Sequence, residues 1–380
     1  MPATLIRYTA AHMTRLIHSA KHLTALLILA LLVIPMSGMQ AQAAKPGFAA
    51  VTPNRPLSFP TDTGAHPDFR TEWWYATGWL ETPDKKPLGF QVTFFRSATG
   101  HDAANPSRFA PKQLIIAHAA LSDPSTGKLV HDQKVAREGF GIAHARVGNT
   151  DVKLEDWTFL RAVDGSYTAR ISGTEFSLAL KLTPTQPPLL QGVNGYSRKG
   201  PRPEQASYYY SEPQLRVTGS VTRGGKAQAV SGHAWLDHEW SSTVLDPQAS
   251  GWDWLGANMA DGSALMAFQI RDLKGAKLWS HATLREANGT LRQYGTAEVE
   301  FKPQRRWRSP HTNATYPVAQ EIRTGATRWQ LTPLQDDQEL DSRRSTGSVY
   351  WEGAVSITRD SQPAGHGYLE MTGYLKPLKL

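Results

Sequence analysis

The sequence predicts an all-β protein made of two tandem antiparallel β-barrels, and three observations carry that prediction. Strand-like runs rich in β-branched and aromatic residues recur at 89–95, 114–121, 167–171, 176–182, 264–270 and 349–357. Between them lie turn signals such as Asp84-Lys85-Lys86-Pro87, Asp123-Pro124-Ser125-Thr126-Gly127, Asp164-Gly165, Arg223-Gly224-Gly225, Asp261-Gly262 and Asn288-Gly289. Their residues preset a bend or tolerate positive φ, and helical periodicity is nearly absent. The third observation is a repeat. Glu72-Trp73-Trp74-Tyr75-Ala76-Thr77-Gly78-Trp79-Leu80 leads through a hairpin to Gly89-Phe90-Gln91-Val92-Thr93-Phe94-Phe95-Arg96. Gly251-Trp252-Asp253-Trp254-Leu255-Gly256-Ala257 leads through Asp261-Gly262 to Leu265-Met266-Ala267-Phe268-Gln269-Ile270-Arg271. Each is a Trp-rich strand, a turn and a strand closing on an arginine. The repeat divides the chain into similar domains at 61–235 and 236–380, and closure into barrels leaves so many strands without exposed edges.

Length and composition agree with this reading. A chain of 380 residues holds two domains or one large one, and one small domain is excluded. Hydrophobic residues at 40% and charged residues at 19% are ordinary globular values, which exclude a disordered chain and a polytopic membrane protein. Twelve tryptophans form a large aromatic inventory to bury or to present to a ligand. The absence of cysteine excludes disulfides, thiolate metal sites and cysteine nucleophiles.

Residues 1–43 read as a cleaved signal peptide. Arg7, Arg15 and Lys21 precede an apolar stretch over 23–34, Pro35 breaks it, and Ala41-Gln42-Ala43 supplies the small-x-small cleavage pattern. The stretch is shorter than the roughly 20 residues that span a bilayer. The mature chain then starts near Ala44 with an extension over 44–60, and is expected in the periplasm or outside the cell. Without the leader the net charge falls from +8 to +5. The densest basic cluster, Arg305-Arg306-Trp307-Arg308, reads as a solvated strand end, and no nucleic-acid footprint is present. The segment 183–203 carries Pro184, Pro187, Pro188, Gly192, Gly195, Gly200, Pro201 and Pro203, which disfavour a regular strand. It reads as a long loop, either a linker or a lid at a barrel mouth.

The richest chemistry lies in Gly232-His233-Ala234-Trp235-Leu236-Asp237-His238-Glu239-Trp240-Ser241-Ser242. On a strand, period two places His233, Trp235, Asp237 and Glu239 on one face and Ala234, Leu236, His238 and Trp240 on the other. A carboxylic acid pressed against indole in a dry pocket is disfavoured as an anion, so it keeps its proton near neutral pH and can donate it. Asp237, Glu239 and Asp253, the last between Trp252 and Trp254, are the candidate acids. The bland alternative is a hydrogen-bonded network that pins the junction between domains. A second cluster, 66–75, begins a strand on which Trp73, Tyr75, Thr77 and Trp79 share a face, as barrel core or as ligand wall. The His and carboxylate spacings match no sharp zinc pattern, and no nucleophile elbow, P-loop or dinucleotide motif occurs, so neither metal nor cofactor is expected.

Several long motifs carry a family resemblance. Phe59-Pro60-Thr61-Asp62-Thr63-Gly64-Ala65-His66-Pro67-Asp68 runs into Glu72-Trp73-Trp74-Tyr75 and then Thr93-Phe94-Phe95-Arg96. Later come Gly195-Tyr196-Ser197-Arg198-Lys199-Gly200, Ser207-Tyr208-Tyr209-Tyr210-Ser211, Trp235-Leu236-Asp237-His238-Glu239-Trp240 and Gly367-Tyr368-Leu369-Glu370-Met371-Thr372-Gly373-Tyr374. Together they resemble the AttH-like family, related to the bacterial carotenoid 1,2-hydratases. The resemblance covers nearly all of the mature chain and implies two lipocalin-like (calycin) barrels in tandem, a hydrophobic lipid or isoprenoid ligand, and association with an ABC-type export system of the inner membrane. The hydratase branch adds water to an isoprenoid double bond using an Asp as proton donor, with His, Trp and Tyr nearby. His233-Ala234-Trp235 and His238-Glu239-Trp240 are both candidates for its His-x-Trp pair. A Tyr-x-Asp counterpart is not evident downstream, with Asp253 as the nearest stand-in. The resulting candidates are Asp237, His238, Glu239, Asp253 and His233 for catalysis, and Trp73, Trp74, Tyr75, Trp79, Trp235, Trp240, Trp252, Trp254 and Tyr209 for ligand contact. Two activities follow: a non-catalytic carrier of an apolar molecule, or a cofactor-free hydro-lyase.

Overall fold

A computed structural model describes residues 47–101, 105–243 and 245–378. The leader expected at 1–43 and the first residues of the extension lie outside the described residues. Apart from a 3₁₀ turn at Thr61–Thr63, regular structure among the described residues is all strand. The first sheet contains β1 (Thr71–Glu81), β2 (Pro87–Ala98), β3 (Gln113–Ser122), β4 (Leu129–Arg137), β5 (Ala143–Ala145), β6 (Asp151–Leu154), β7 (Trp157–Arg161), β8 (Tyr167–Ser172), β9 (Phe176–Thr183), β10 (Leu189–Leu190), β11 (Tyr196–Arg198), β12 (Ala206–Arg223) and β13 (Lys226–Thr243). The second contains β14 (Ala249–Met259), β15 (Ala264–Asp272), β16 (Lys277–Arg285), β17 (Leu291–Tyr294), β18 (Val299–Arg308), β19 (Thr315–Thr324), β20 (Thr327–Pro333), β21 (Glu339–Ser342), β22 (Ser348–Arg359) and β23 (Gln362–Met371). The six strand-like runs fall inside β2, β3, β8, β9, β15 and β22.

Both sheets follow one plan. In the first, β1 pairs with β2 on one side and with the last strand, β13, on the other; in the second, β14 pairs with β15 and with the last strand, β23. Each sheet therefore curls until its final strand returns beside its first. The end strands of the first sheet, β4 and β5, approach across a turn in which Gly139 N–H donates to Ala143 O at 2.8 Å. Lys134 of β4 also reaches Asp156 beyond β6 at 2.5 Å, so this barrel is nearly closed. In the second sheet Lys277 Nζ of β16 donates to Val299 O of β18 at 2.8 Å. Even the arginine that ends each repeat is reproduced, as Arg96 pairs with Glu72 at 2.8 Å and Arg271 with Asp253 at 3.1 Å.

The sheets change between Thr243 and Ala249, not at 235/236 as the sequence suggested. Residues 235 and 236 lie in mid-strand, and β13 hydrogen-bonds to both β1 and β12 across this stretch. Ending the domain there would orphan a row of buried backbone groups. The central His/Trp stretch is thus the closing strand of the first barrel rather than the opening of the second.

Each barrel is filled by its own side chains, including Trp74, Phe90, Phe94, Trp157 and Leu236 in the first and Leu255, Ile322, Trp329, Trp351 and Leu369 in the second. A third apolar cluster lies between the barrels and draws on both: Tyr75, Tyr209 and Trp235 from one, Trp254, Met266, Phe268 and Tyr368 from the other. The segment 183–203 straps the two together. Gln186 Nε2 donates to Gly262 O at 2.9 Å, Arg285 Nη1 to Pro187 O at 2.7 Å, and Trp279 Nε1 to Arg198 O at 3.0 Å.

Candidate active site

A cavity of about 180 Å³ opens in this inter-barrel cluster. Alternation along the strands decides what faces it. From β1 come Trp73 and Tyr75, from β13 Asp237 and Glu239, and from β2 and β3 Phe95 and His118. The second barrel supplies Trp252 and Trp254 of β14, Phe268 and Ile270 of β15, Tyr350 and Glu352 of β22, and Glu370 of β23; Lys199 comes from the strap. Thr71, Thr346 and Leu378 lie where the lining becomes exposed, and so mark the mouth.

Asp237 is buried and takes three hydrogen bonds. Ser211 Oγ and Trp235 Nε1 both donate to Oδ1 at 2.6 Å, and the Tyr209 hydroxyl donates to Oδ2 at 2.5 Å. Tyr209 is itself held by Trp254 Nε1 at 3.0 Å, so an indole of the second barrel orients the tyrosine that orients the acid. Burial nevertheless dominates: it pushes the Asp237 carboxyl up to about 7 against the pull of those donors, with Glu239 adding repulsion. Oδ1 already has two donors, which leaves Oδ2 as the oxygen with room for a proton. Glu239, two residues on, is paired with Lys199 Nζ at 2.9 Å and accepts from Ser207 Oγ. Lys199 also sits over the Tyr209 and Phe268 rings, 4.5 and 4.4 Å from their centroids.

Two further acids face Asp237 from the second barrel. Glu352 and Glu370 are direct cross-strand partners. Burial, and then the Glu370 charge, hold Glu352 well above the usual carboxylate range, and neither of its oxygens makes a hydrogen bond of ordinary geometry, although the Tyr75 hydroxyl tempers the shift. Burial pushes Glu370 up to about 7 against a hydrogen bond from Trp252, with Asp237, Glu239 and Asp253 raising it further. A dry site with several carboxyls and one lysine cannot ionise them all, so it holds protons at neutral pH.

The other candidates lie elsewhere. Asp253 points away from the cavity and is bound by Arg271, Gln269 Nε2 at 2.6 Å and the Tyr374 hydroxyl at 2.9 Å. His233 is exposed beyond the cavity. Trp79 stacks on His366 at 3.9 Å, a contact between barrels rather than a cavity wall. Trp235 and Tyr209 stand behind Asp237 as hydrogen-bond donors. Trp74, His238 and Trp240 occupy the opposite strand face, Trp74 in the core of the first barrel and Trp240 in a cluster with Val51, Phe69 and Tyr208. There His238 stacks on Trp74 at 4.6 Å, and Trp240 stacks on His66 at 3.7 Å.

His66 Nδ1, Glu72 Oε1 and His238 Nε2 lie within 4.8 Å of one another, a set with metal-ligand chemistry. Each of these atoms is already engaged: His66 with Glu72 at 2.6 Å, His238 with Glu72 at 2.9 Å, and the second Glu72 oxygen with Arg96. Asp62 holds the far side of His66 at 3.0 Å. The cluster is a closed hydrogen-bonded network that joins the 3₁₀ turn to the barrel.

The AttH-like family model matches residues 50–374. The chain belongs to the AttH-like family. Among solved structures it is similar to a crystal structure assigned to AttH from Nitrosomonas europaea, with 61% identity over 86% of this chain and all of that one, at a TM-score of 0.82. Kievitone hydratase from Nectria haematococca shares the fold at 16% identity and a TM-score of 0.65, covering 86% of this chain and 96% of that one. CghA bound to Sch210972 does so at 15% identity and 0.52, covering 87% and 95%. No curated protein sequence matches the chain.

Sequence reasoning missed His118, Lys199, Tyr350, Glu352 and Glu370 as cavity residues. A signal was present for the two glutamates: each is a single charge inside an otherwise apolar strand, as in 349–357, and a charge that folding will bury needs a reason. His118 and Tyr350 carried none, because 232 positions separate them.

Proposed function

We propose that this AttH-like protein is a cofactor-free hydro-lyase that adds water across a carbon–carbon double bond of an apolar small molecule, or removes it, in the cavity between its barrels. The observation that carries the reading is Asp237: a buried carboxyl that retains its proton near neutral pH and faces a cavity walled by indole and phenol rings. Its proton passes from Oδ2 to one alkene carbon and leaves a carbocation on the other. The faces of Trp73, Trp252 and Trp254 attract that cation, as do the carboxyls of Glu352 and Glu370. Water then captures it. A cavity of about 180 Å³ is comparable to the roughly 150 Å³ apolar void known to hold benzene. It accommodates one ring or isoprenoid unit, and a longer chain leaves through the mouth. The fold shared with kievitone hydratase supports the same class of chemistry.

Incubation with acyclic carotenoids and short terpenoids in ¹⁸O-water tests this reading. Labelled alcohol is the expected product, and Asp237→Asn lowers its rate by at least about 10²-fold, the usual contribution of a general acid. Unlabelled substrate throughout, or full activity in Asp237→Asn, contradicts it. The apolar lining also supports a second reading, a carrier that hands a lipid or isoprenoid to an inner-membrane ABC transporter after export by the N-terminal leader. In that case lipid extracted from the purified protein is unmodified, and Asp237→Asn retains it.

A further inference from the structure

Four side chains from the two barrels form a hydrogen-bonded chain that ends at the cavity, and its direction can be worked out atom by atom. Gln133 Nε2 of β4 donates to Asp341 O at 2.7 Å, so the Gln133 amide oxygen is the end that faces Ser345, 2.6 Å from Ser345 Oγ. That oxygen only accepts, as does Ser342 O at 3.2 Å from Ser345 Oγ, so Ser345 spends its single proton on them. Ser345 Oγ must therefore accept from His118 Nε2, 2.8 Å away. With its proton on Nε2, neutral His118 presents a lone pair at Nδ1, and the Tyr350 hydroxyl lies 2.7 Å from it. Tyr350 consequently donates to His118, so its oxygen accepts from the neighbouring Glu352 carboxyl, which burial keeps protonated, and has one lone pair left for whatever occupies the cavity.

The geometry points to Tyr350 and His118 as the general base of the reaction, set in the wall of the cavity that also holds the Asp237 acid. This inference rests on the hydro-lyase reading of the site. As water attacks the carbocation, its oxygen forms the new C–O bond and the protonated alcohol releases a proton to the Tyr350 oxygen while the Tyr350 proton moves to His118 Nδ1. Asp237, left as a carboxylate by the first step, regains a proton through water in the cavity as His118 releases its own, so alkene plus water gives alcohol and the enzyme is restored. His118 is a weak base here, since burial lowers it to about 3 with help from His131. A weak base suffices, because a protonated alcohol is a strong acid. Ser345 and Gln133 are positioning residues: their amide end conducts no proton to solvent, and their work is to fix the tautomer.

Long-range ¹⁵N–¹H correlation spectra of the full chain, with His118 assigned by its loss in His118→Gln, read the tautomer without any substrate. The expected result is a neutral ring protonated at Nε2 throughout pH 5 to 8, with the Nδ1 resonance moved by Tyr350→Phe and a mixture of tautomers in Ser345→Ala. A ring protonated at Nδ1, or an imidazolium in that range, overturns the inference whatever the activity. In the ¹⁸O assay Tyr350→Phe lowers kcat by about 10²-fold with KM little changed. If Asp237→Asn abolishes turnover while Tyr350→Phe and His118→Gln do not, the base assignment falls and the hydro-lyase reading stands. If Glu352→Gln alone reproduces the expected loss, Glu352 is the base and the assignment falls again. If wild-type protein hydrates none of the alkenes, it is the hydro-lyase reading that falls, and with it the base assignment, while the tautomer remains as a structural fact.

Discussion

Asp237 sits in a conflict that its surroundings resolve in favour of the proton. Three donors favour the anion, and loss of water disfavours it by more. This has a consequence for stability. An aspartate titrates near 3.9 in an unfolded chain and near 7 in this fold, so between those values the folded state holds the extra proton. The contribution of Asp237 to stability is therefore greatest below pH 4, declines as pH rises to 7, and is lowest above that. Asparagine has no such dependence, and it relieves Glu370 of the Asp237 repulsion, which acts in the same direction. The stability of Asp237→Asn relative to wild type should accordingly increase from pH 4 to pH 8, by on the order of 4 kcal/mol at 1.4 kcal/mol per pKa unit. Urea titrations at the two pH values measure it, and a difference that stays flat, or shrinks as pH rises, would show that Asp237 is ionised in the folded protein.

Strands were the most legible level of this molecule and their faces the least. Period two correctly separates Trp73, Tyr75 and Trp79 from Trp74, and Asp237 and Glu239 from His238 and Trp240. It cannot say which set is barrel interior and which is the surface between barrels, because β1 and β13 are buried on both faces and both faces are aromatic. Asp253 shows the same limit: its two Trp neighbours reach the cavity, and the alternation that sends them there sends the carboxylate to Arg271. Gly256 in β14 is part of how the faces fit. A Cβ there would lie 2.5 Å from Trp254 Cη2 and 2.9 Å from Trp235 Cδ2, so the strand leaves room at this point for the two indoles behind the acid. Gly256→Ala is expected to destabilise the protein by about 1–3 kcal/mol through overpacking. It should also perturb near-ultraviolet tryptophan circular dichroism, whereas a neutral effect on both would mean that the indoles have other room to move.

At the scale of the whole molecule, the repeat and both barrels could be read from the sequence, while the site could not, because it belongs to neither barrel. The contacts that bring the barrels together around it join distant residues, such as His118 with Tyr350 at the cavity and, away from it, Ser122 Oγ with Gln338 Oε1 at 2.6 Å. Nothing local in a strand encodes which surface of one barrel will meet the other. The barrels approach closely at Gly89, where an added Cβ would fall 2.6 Å from the Ala354 Cβ. Burial between the barrels in turn sets the acidity of Asp237. Carboxyl ¹³C NMR titration of protein labelled at aspartate, with Asp237 assigned by Asp237→Asn, therefore tests the account most directly. A midpoint near 7 for Asp237 is the result it predicts, and titration of Asp237 together with the surface aspartates, below pH 5, is the result that would contradict it.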